Sequence, residues 1–236
     1  MGGLVAALTV IRHGQSTANV AFAAAEAAGL LKSGVAGRDA EVELSALGRA
    51  QAEALGRWLA GLPVQRRPEH VLCSPYLRAR QTWRIAVEAA AGLDARVPEE
   101  VLDHRLGDRL MGQLELLTTA AIAARFPAEA ARRRMDGEFG YRPPGGESFG
   151  DIAVRLSALL RDVNDLYAGR RVTLVAHDAV VLMMRYVVEE LSFRELAAIM
   201  QAGTVANGSI TEFDGSSGRL RLTKYNVADH LRDHQN

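Results

Sequence analysis

Residues Leu8 to Asn19 read Leu-Thr-Val-Ile-Arg-His-Gly-Gln-Ser-Thr-Ala-Asn. An apolar, β-branched run that stops abruptly at a charged turn fits few places in a fold. It reads as a buried strand whose end reaches a sheet edge, presenting the Arg12 guanidinium and the His13 imidazole side by side. Gly14, having no Cβ, is expected to turn the backbone sharply through positive φ. Ser16 or Thr17 can then cap a helix running through the Ala-rich segment to Ala28. Two readings fit these residues alone: a strand followed by a polar turn, or an anion site with His13 as a nucleophile toward phosphorus.

The 236 residues suffice for one large domain or two small ones, and the absence of repeats or a convincing linker favours one domain over residues 1–236. Basic and acidic residues balance at a formal net charge of +0, which argues against a nucleic-acid partner bound through backbone electrostatics. Cys73 is the single cysteine, so no intrachain disulfide forms and a reducing cytoplasm is the expected location. His230 and His234 lie four apart in a polar tail, where an ordinary terminus is favoured over a metal site. The first residues lack the basic start of a signal peptide, and position 6 is Ala, which weakens a myristoylation reading. The apolar run Val172 to Val188 is interrupted by His177, Asp178 and Arg185, so no membrane span is expected.

Strand and helix signals alternate along the chain. After a Gly-rich loop at 32–38, Ser45 is placed to cap a helix carrying Leu47, Leu55, Trp58 and Leu59, ended by Gly61 and Pro63. His70 to Cys73 reads as a second buried strand. Ser74-Pro75 leads into a helix from Tyr76 to Ala91, and Ala95 to Val97 reads as a third strand. Residues 102–118 show no clean period and are expected to form a loop with partial helical structure. Helices are expected at 118–126 and 128–135, then a Gly/Pro-rich loop at 136–146. Ser148 to Tyr167 should be a long amphipathic helix with Ile152, Val154, Leu156, Leu159, Leu160 and Val163 mostly on one face. Arg171 to Ala176 is a near-continuous apolar strand, as expected for burial on both faces of a parallel sheet. Two helices, 180–191 and 192–200, precede a hairpin of 206–213 and 219–224. The sum is an α/β layered fold with helices on both faces of a mostly parallel sheet.

Three of these strands end in polar residues: Arg12-His13, Ser74 with Arg78 soon after, and His177. Ligands of open α/β sheets bind beyond the carboxyl ends of strands, so these side chains can meet in one pocket. A lone Arg78 on a helix is ordinarily a solvated face, and a lone His177 is as often structural as catalytic. Their common placement favours a shared site.

Arg12-His13-Gly14, Ser74-Pro-Tyr-Leu-Arg-Ala-Arg-Gln-Thr82, Gly145-Gly-Glu-Ser148 and the strand ending at His177 occur in one order along nearly the whole chain. Together they resemble the histidine phosphatase superfamily, the phosphoglycerate-mutase-like group. The resemblance implies a three-layer α/β/α sandwich. It implies His13 as nucleophile, Arg12 and Arg78 as phosphate-binding arginines, His177 as the second histidine and Asn19 as a further phosphoryl contact. Arg80 falls in a variable slot. The family's proton donor, a Glu before a Gly, is matched by Asp108 in Leu106-Gly-Asp-Arg-Leu-Met-Gly112, one methylene shorter. Glu115, Asp103 and His104 are the alternative donors. Asp178 stands where many relatives have Gly, which adds a negative charge beside the site.

The implied chemistry is phosphomonoester hydrolysis without metal or cofactor: neutral His13 forms a phosphohistidine, two arginines balance phosphate charge, charged His177 holds a non-bridging oxygen, and Asp108 serves as acid, then base. The stretch Glu138-Phe-Gly-Tyr-Arg-Pro-Pro-Gly-Gly-Glu-Ser148 is similar to the fructose-2,6-bisphosphatase branch, which makes Tyr141, Arg142 and Glu147 candidate substrate contacts. Gly145 replaces that branch's lysine, which weighs against a bisphosphate and toward a broader phosphomonoesterase. A mutase returning the phosphoryl group to substrate, and a non-catalytic binder of phosphorylated ligands, are the alternatives. The expected partner is a small phosphorylated substrate, with neither nucleic acid nor membrane, and the oligomeric state is open, a homodimer included.

Overall fold

The computed structural model describes residues 3–234. Its strands are β1 (Ala7–Arg12), β2 (His70–Cys73), β3 (Val101–Leu102), β4 (Arg171–Ala176), β5 (Ile210–Asp214) and β6 (Arg221–Val227). Its helices are α1 (Thr17–Ala27), α2 (Ala46–Gly61), α3 (Leu77–Ala91), α4 (Thr119–Arg125), α5 (Pro127–Gly140), α6 (Phe149–Leu166), α7 (Asp178–Glu189) and α8 (Phe193–Ala202). The strands form one sheet in the order β3-β2-β4-β1-β5-β6. β3, β2, β4 and β1 run parallel, while β5 lies antiparallel to β1 and β6 antiparallel to β5.

The parallel core explains the absence of hydrophobic alternation in β1 and β4. Leu8, Val10, Val172 and Leu174 pack on one face with Ile152, Leu156 and Leu159 of α6 and Val180 and Met183 of α7. Ile11, Val71, Cys73 and Val175 pack on the other face with Leu55 and Leu59 of α2 and Trp83 and Ala86 of α3. Alternate residues thus serve opposite cores, and both must be apolar. The chain leaves β1 toward the α2–α3 face and leaves β4 toward the α7 face. That divergence opens a crevice between the carboxyl ends of adjacent β1 and β4.

Capping chemistry sets several boundaries. Ser16 accepts from the Asn19 backbone N–H while the Asn19 side chain accepts from the Ser16 N–H, closing a capping box on α1. Ser148 and Asp151 do the same for α6, and Ser192 and Glu195 for α8. Ser45 caps α2 by accepting from the Gly48 N–H.

Several expectations need correction. The third strand is Val101–Leu102 rather than 95–97. Ala95 is buried and Val97 packs on the α2–α3 core, so that segment has a strand's hydrophobicity without a strand's pairing, whereas Val101 and Leu102 reach the edge of β2. The helical segment beginning at Pro127 continues to Gly140, past a break at Gly137 (φ 68°, ψ 166°), because Phe139 anchors beyond the break against Phe149, ring centroids 5.2 Å apart. Val154 lies off the α6 core stripe and is 72% exposed. Residues 206–209 lie outside the hairpin and instead cap β1: the Gly208 N–H donates to the carbonyls of Arg12 (3.1 Å) and His13 (3.0 Å). The C-terminal turn Asp229–His234 is also more than a polar tail, since Leu231 is buried against Gly208 and Gln51.

The reason for Gly14 differs from the expected one as well. It is not among the positive-φ glycines; a Cβ there would sit 2.5 Å from the Gly48 carbonyl oxygen. Reciprocally, a Cβ on Gly48 would lie 1.9 Å from the Gln15 carbonyl oxygen. The two glycines let the first turn of α2 press directly on the turn that carries His13. Gly48→Ala should therefore destabilise the protein by about 2 kcal/mol or more, as backbone overpacking does. Urea unfolding would measure this, and an unchanged midpoint would show that the close approach is not required.

Candidate active site

Strand register builds the site. Arg12 pairs with Ala176 and Cys73 with Val175, so His13 and His177 follow at the same level and Ser74 emerges one residue before them on the neighbouring strand. The His13 N–H donates to the Ala176 carbonyl (2.9 Å), and the Ser74 N–H to the Val175 carbonyl (2.9 Å). Arg78 enters from the first turn of α3. Arg12, His13, Arg78 and His177 are all buried, at 9%, 2%, 3% and 0% exposure.

The hydrogen bonds of His13 define its protonation state. Nδ1 lies 2.6 Å from the carbonyl oxygen of Gly14, a geometry that requires Nδ1–H to donate. Nε2 accepts from Arg78 Nε–H at 3.2 Å, which requires a lone pair there. The ring is thus neutral with Nε2 unprotonated, as a nucleophile must be. Burial pushes its pKa well below 6.5, and His177, Arg78 and Arg12 push in the same direction. Thr82 Oγ1 accepts from the Gly14 N–H (3.0 Å) and donates to the Arg78 carbonyl (2.7 Å), tying the His13 turn to α3. Asn207 Nδ2 donates to the His13 carbonyl and to Asn19 Oδ1, both at 3.2 Å. Asn19 lines the same small cavity as His13, with its oxygen engaged by Ser16 and Asn207.

His177 Nε2 lies 2.8 Å from Ser74 Oγ, and its ring meets His13 edge-on with centroids 5.1 Å apart. Its Nδ1 lies 3.3 Å from Asp108 Oδ2, at ion-pair distance but not aligned as a hydrogen bond. The expected charge on His177 is not what its surroundings favour. Burial lowers its pKa and outweighs the opposing pull of Asp108.

Arg78 is shared. Its Nη2 donates to Asp108 Oδ2 (2.8 Å) and Asp39 Oδ2 (3.0 Å), and its Nη1 to Asp39 Oδ1 (3.2 Å) and the Asp39 carbonyl (2.7 Å). Burial opposes the carboxylate charge of Asp108, but His177 and Arg78 prevail and hold it well below the usual carboxylate range. Arg12 donates through Nη1 to the Val205 carbonyl, and its Nη2 lies 3.7 Å from Asp178. Its buried Nε–H has no hydrogen-bond partner among the described residues. Asp39, not singled out in the sequence, sits in a short 3-10 turn (Asp39–Glu41) after the Gly-rich loop, where only its place in a run of acidic residues marked it.

Asp108 is held by a residue the sequence reading also missed. Arg155 of α6 donates to the carbonyls of Arg105, Gly107 (2.9 Å) and Asp108 (3.3 Å), and through Nε to Glu147 Oε1 (2.9 Å). Glu147, expected to contact substrate, is instead the partner of Arg155 and accepts from the Leu110 N–H at 3.2 Å. Tyr141 is likewise no substrate contact: it is fully buried with Leu114 and Ile122, its hydroxyl donating to Glu129 at 2.9 Å. Arg142 points to the exterior and pairs with Asp151 at 2.5 Å. These three serve loop packing because the 138–148 segment braces the Asp108 loop. Of the alternative donors, Glu115 lines the adjoining cavity and accepts from the Asp39 N–H (3.0 Å), Asp103 is bound to Arg105, and His104 is exposed.

The residues around His13 enclose about 210 Å³. A larger cavity of about 550 Å³ adjoins it, with Phe22, Asp39, Asp108 and Asp178 on the walls of both. No group of three or more His, Cys, Asp or Glu side chains among the described residues is arranged to hold a metal ion. No helix among them is long and apolar enough to cross a membrane.

Residues 8–228 match the model of the histidine phosphatase superfamily (branch 1). The 2,3-bisphosphoglycerate-dependent phosphoglycerate mutase 2 of Gloeobacter violaceus is 32% identical over 228 residues, covering 94% of each chain. The fructose-2,6-bisphosphatase TIGAR of Xenopus tropicalis is 26% identical over 211 residues, covering 88% of this chain and 59% of that protein. Among solved structures, the mycobacterial glucosyl-3-phosphoglycerate phosphatase complexed with VO3 superposes with a TM-score of 0.69 at 29% identity, over 94% of this chain and 100% of that one. A family match spanning nearly the whole chain, on a sheet whose strand ends bring Arg12, His13, Arg78 and His177 together, places this protein in the histidine phosphatase superfamily.

Proposed function

We propose that the protein is a phosphomonoesterase that hydrolyses small phosphorylated metabolites through a phosphohistidine on His13. The observation that carries this reading is the neutral His13, its Nε2 lone pair already accepting from Arg78. An arriving phosphate takes the donors of Arg78 now shared by Asp39 and Asp108, and meets the unpartnered Nε–H of Arg12. Nε2 attacks phosphorus in line, the N–P bond forms and the ester P–O bond breaks. Asp108, protonated as the dianion's charge replaces its own on Arg78, gives its proton to the leaving oxygen. The resulting carboxylate then takes a proton from water as that water attacks phosphorus, and the N–P bond breaks with its electron pair returning to His13. Arg12 and Arg78 balance the charge of the equatorial oxygens, so the cycle needs no metal. The single, buried cysteine is consistent with a reducing compartment such as the cytoplasm.

A mutase reading is favoured by the 32% identity to a phosphoglycerate mutase. Incubation with 3-phosphoglycerate separates the two, since release of inorganic phosphate marks hydrolysis and isomerisation marks the mutase. His13→Ala should lower p-nitrophenyl phosphate hydrolysis by more than about a hundredfold, beyond the loss of a single transition-state donor. Wild-type turnover should persist in EDTA. Equal rates for the two proteins would remove the nucleophile assignment, and loss on chelation would remove the metal-free cycle.

Proton donation is tested through the leaving group. Asp108→Asn should slow an alkyl phosphate far more than p-nitrophenyl phosphate, whose phenolate leaves without help. A larger loss in Glu115→Gln than in Asp108→Asn would move the acid to Glu115.

The His13 ring, followed by proton NMR from pH 8 downward, should stay neutral through 6.5, because burial and three neighbouring groups depress its pKa. Protonation at or above 6.5 would contradict that electrostatic account.

A further inference from the structure

The residues at His13 decide what happens at phosphorus, while the adjoining chamber decides which alcohol half can be held there. At about 550 Å³ it has the size of a small-molecule site, and Phe22, Met111, Leu117, Ile122 and Leu182 give it largely apolar walls. Two guanidiniums face it, and both are engaged on one carboxylate: Arg109 at 2.6 Å and Arg133 at 2.7 Å from the oxygens of Glu138. Arg109 is further fixed by donating to the carbonyls of Glu147 and Tyr141 and by lying over the Phe149 ring. Glu26 and Glu115, by contrast, are exposed and accept from neutral backbone N–H groups, those of Thr119 (2.7 Å) and Asp39 (3.0 Å). Across the chamber and the phosphate cradle, six carboxylates (Glu26, Asp39, Asp108, Glu115, Glu138, Asp178) stand against four guanidiniums (Arg12, Arg78, Arg109, Arg133).

We propose that this site selects phosphate monoesters of apolar alcohols bearing a positive charge and rejects esters bearing a second anion. The proposal rests on the reading of His13 as phosphoryl acceptor and names the substrate class for it. A bound phosphate occupies Arg12 and Arg78. A second phosphate or carboxylate would then face Glu26, Glu115 and Asp178 with both chamber arginines held by Glu138. An ammonium group in the same place gains those carboxylates and the face of Tyr76 or Phe22, while the apolar body covers the leucine and methionine walls.

Three aryl phosphates of one size test this: 4-methylphenyl, 4-(aminomethyl)phenyl and 4-(carboxymethyl)phenyl phosphate, whose similar leaving groups isolate the distal charge. From the neutral ester, kcat/KM should fall about tenfold for the carboxymethyl ester and rise severalfold for the aminomethyl ester, and the spread should shrink in 0.5 M NaCl. Glu26→Gln combined with Glu115→Gln should narrow the spread. The exposed single substitution Glu26→Gln serves the same purpose if the double variant fails to fold. Dissociation constants of the three esters on His13→Ala, by calorimetry, read the chamber without turnover. The same charge order in binding without hydrolysis by wild type would sustain the chamber assignment and remove the hydrolytic one. Hydrolysis with a flat or reversed order, a spread unaltered by the substitutions, or no binding of any ester would overturn the chamber assignment.

Discussion

The buried guanidinium of Arg78 is the interaction on which the site depends. It donates to Nε2 of His13, to the carboxylate of Asp108 and to both oxygens of Asp39. A charge at 3% exposure is tolerated only with compensating partners. Those partners come from the β1 turn, the loop before α2 and the loop after β3, so one charge organises three otherwise separate segments. Asp39 and Asp108 hold the donors of Arg78 in the free site. In the proposed cycle, substrate binding is an exchange of anions on Arg78, and the exchange lets Asp108 pass from an ion-pair partner to a proton donor.

The scaffold makes that arrangement affordable in rigidity. Parallel pairing of β1 with β4 and of β4 with β2 sets His13 and His177 side by side with Ser74 one residue away, and the Gly14–Gly48 contact fixes the turn from behind. Asp108 lies outside the sheet and depends on Arg155, which draws three carbonyls and Glu147 toward α6. His13 thus stands at the end of a central strand, while Asp108 stands on a loop whose position is set by side-chain hydrogen bonds. On the proposed reading, substrate preference belongs to the loop side of the site, where Arg109 and Arg133 close on Glu138.

The parts of the fold that could be read from the chain are those ruled by local chemistry. Helix caps at Ser16, Ser45, Ser148 and Ser192 and the doubly buried runs of β1 and β4 carry their signal within a few residues. The third strand and the hairpin start were misplaced because hydrophobicity reports burial, whereas a strand also needs a partner within reach. Tyr141, Arg142 and Glu147 show the same limit at the site. An aromatic, a cation and an acid beside a Gly-rich turn have the residue types of a binding loop, and only packing shows that they face Glu129, Asp151 and Arg155.

The sequence by itself determined the order of elements, the strand ends at which Arg12, His13 and His177 must emerge, and the family to which the chain belongs. These follow from short-range periodicity and from motifs whose members are neighbours along the chain. Tertiary structure alone decided that Asp39 shares Arg78, that burial lowers the pKa of His177, and that Arg109 and Arg133 are already paired. Charge state and charge pairing depend on desolvation and on distances between residues far apart in sequence, and both come into being only when the chain closes on itself.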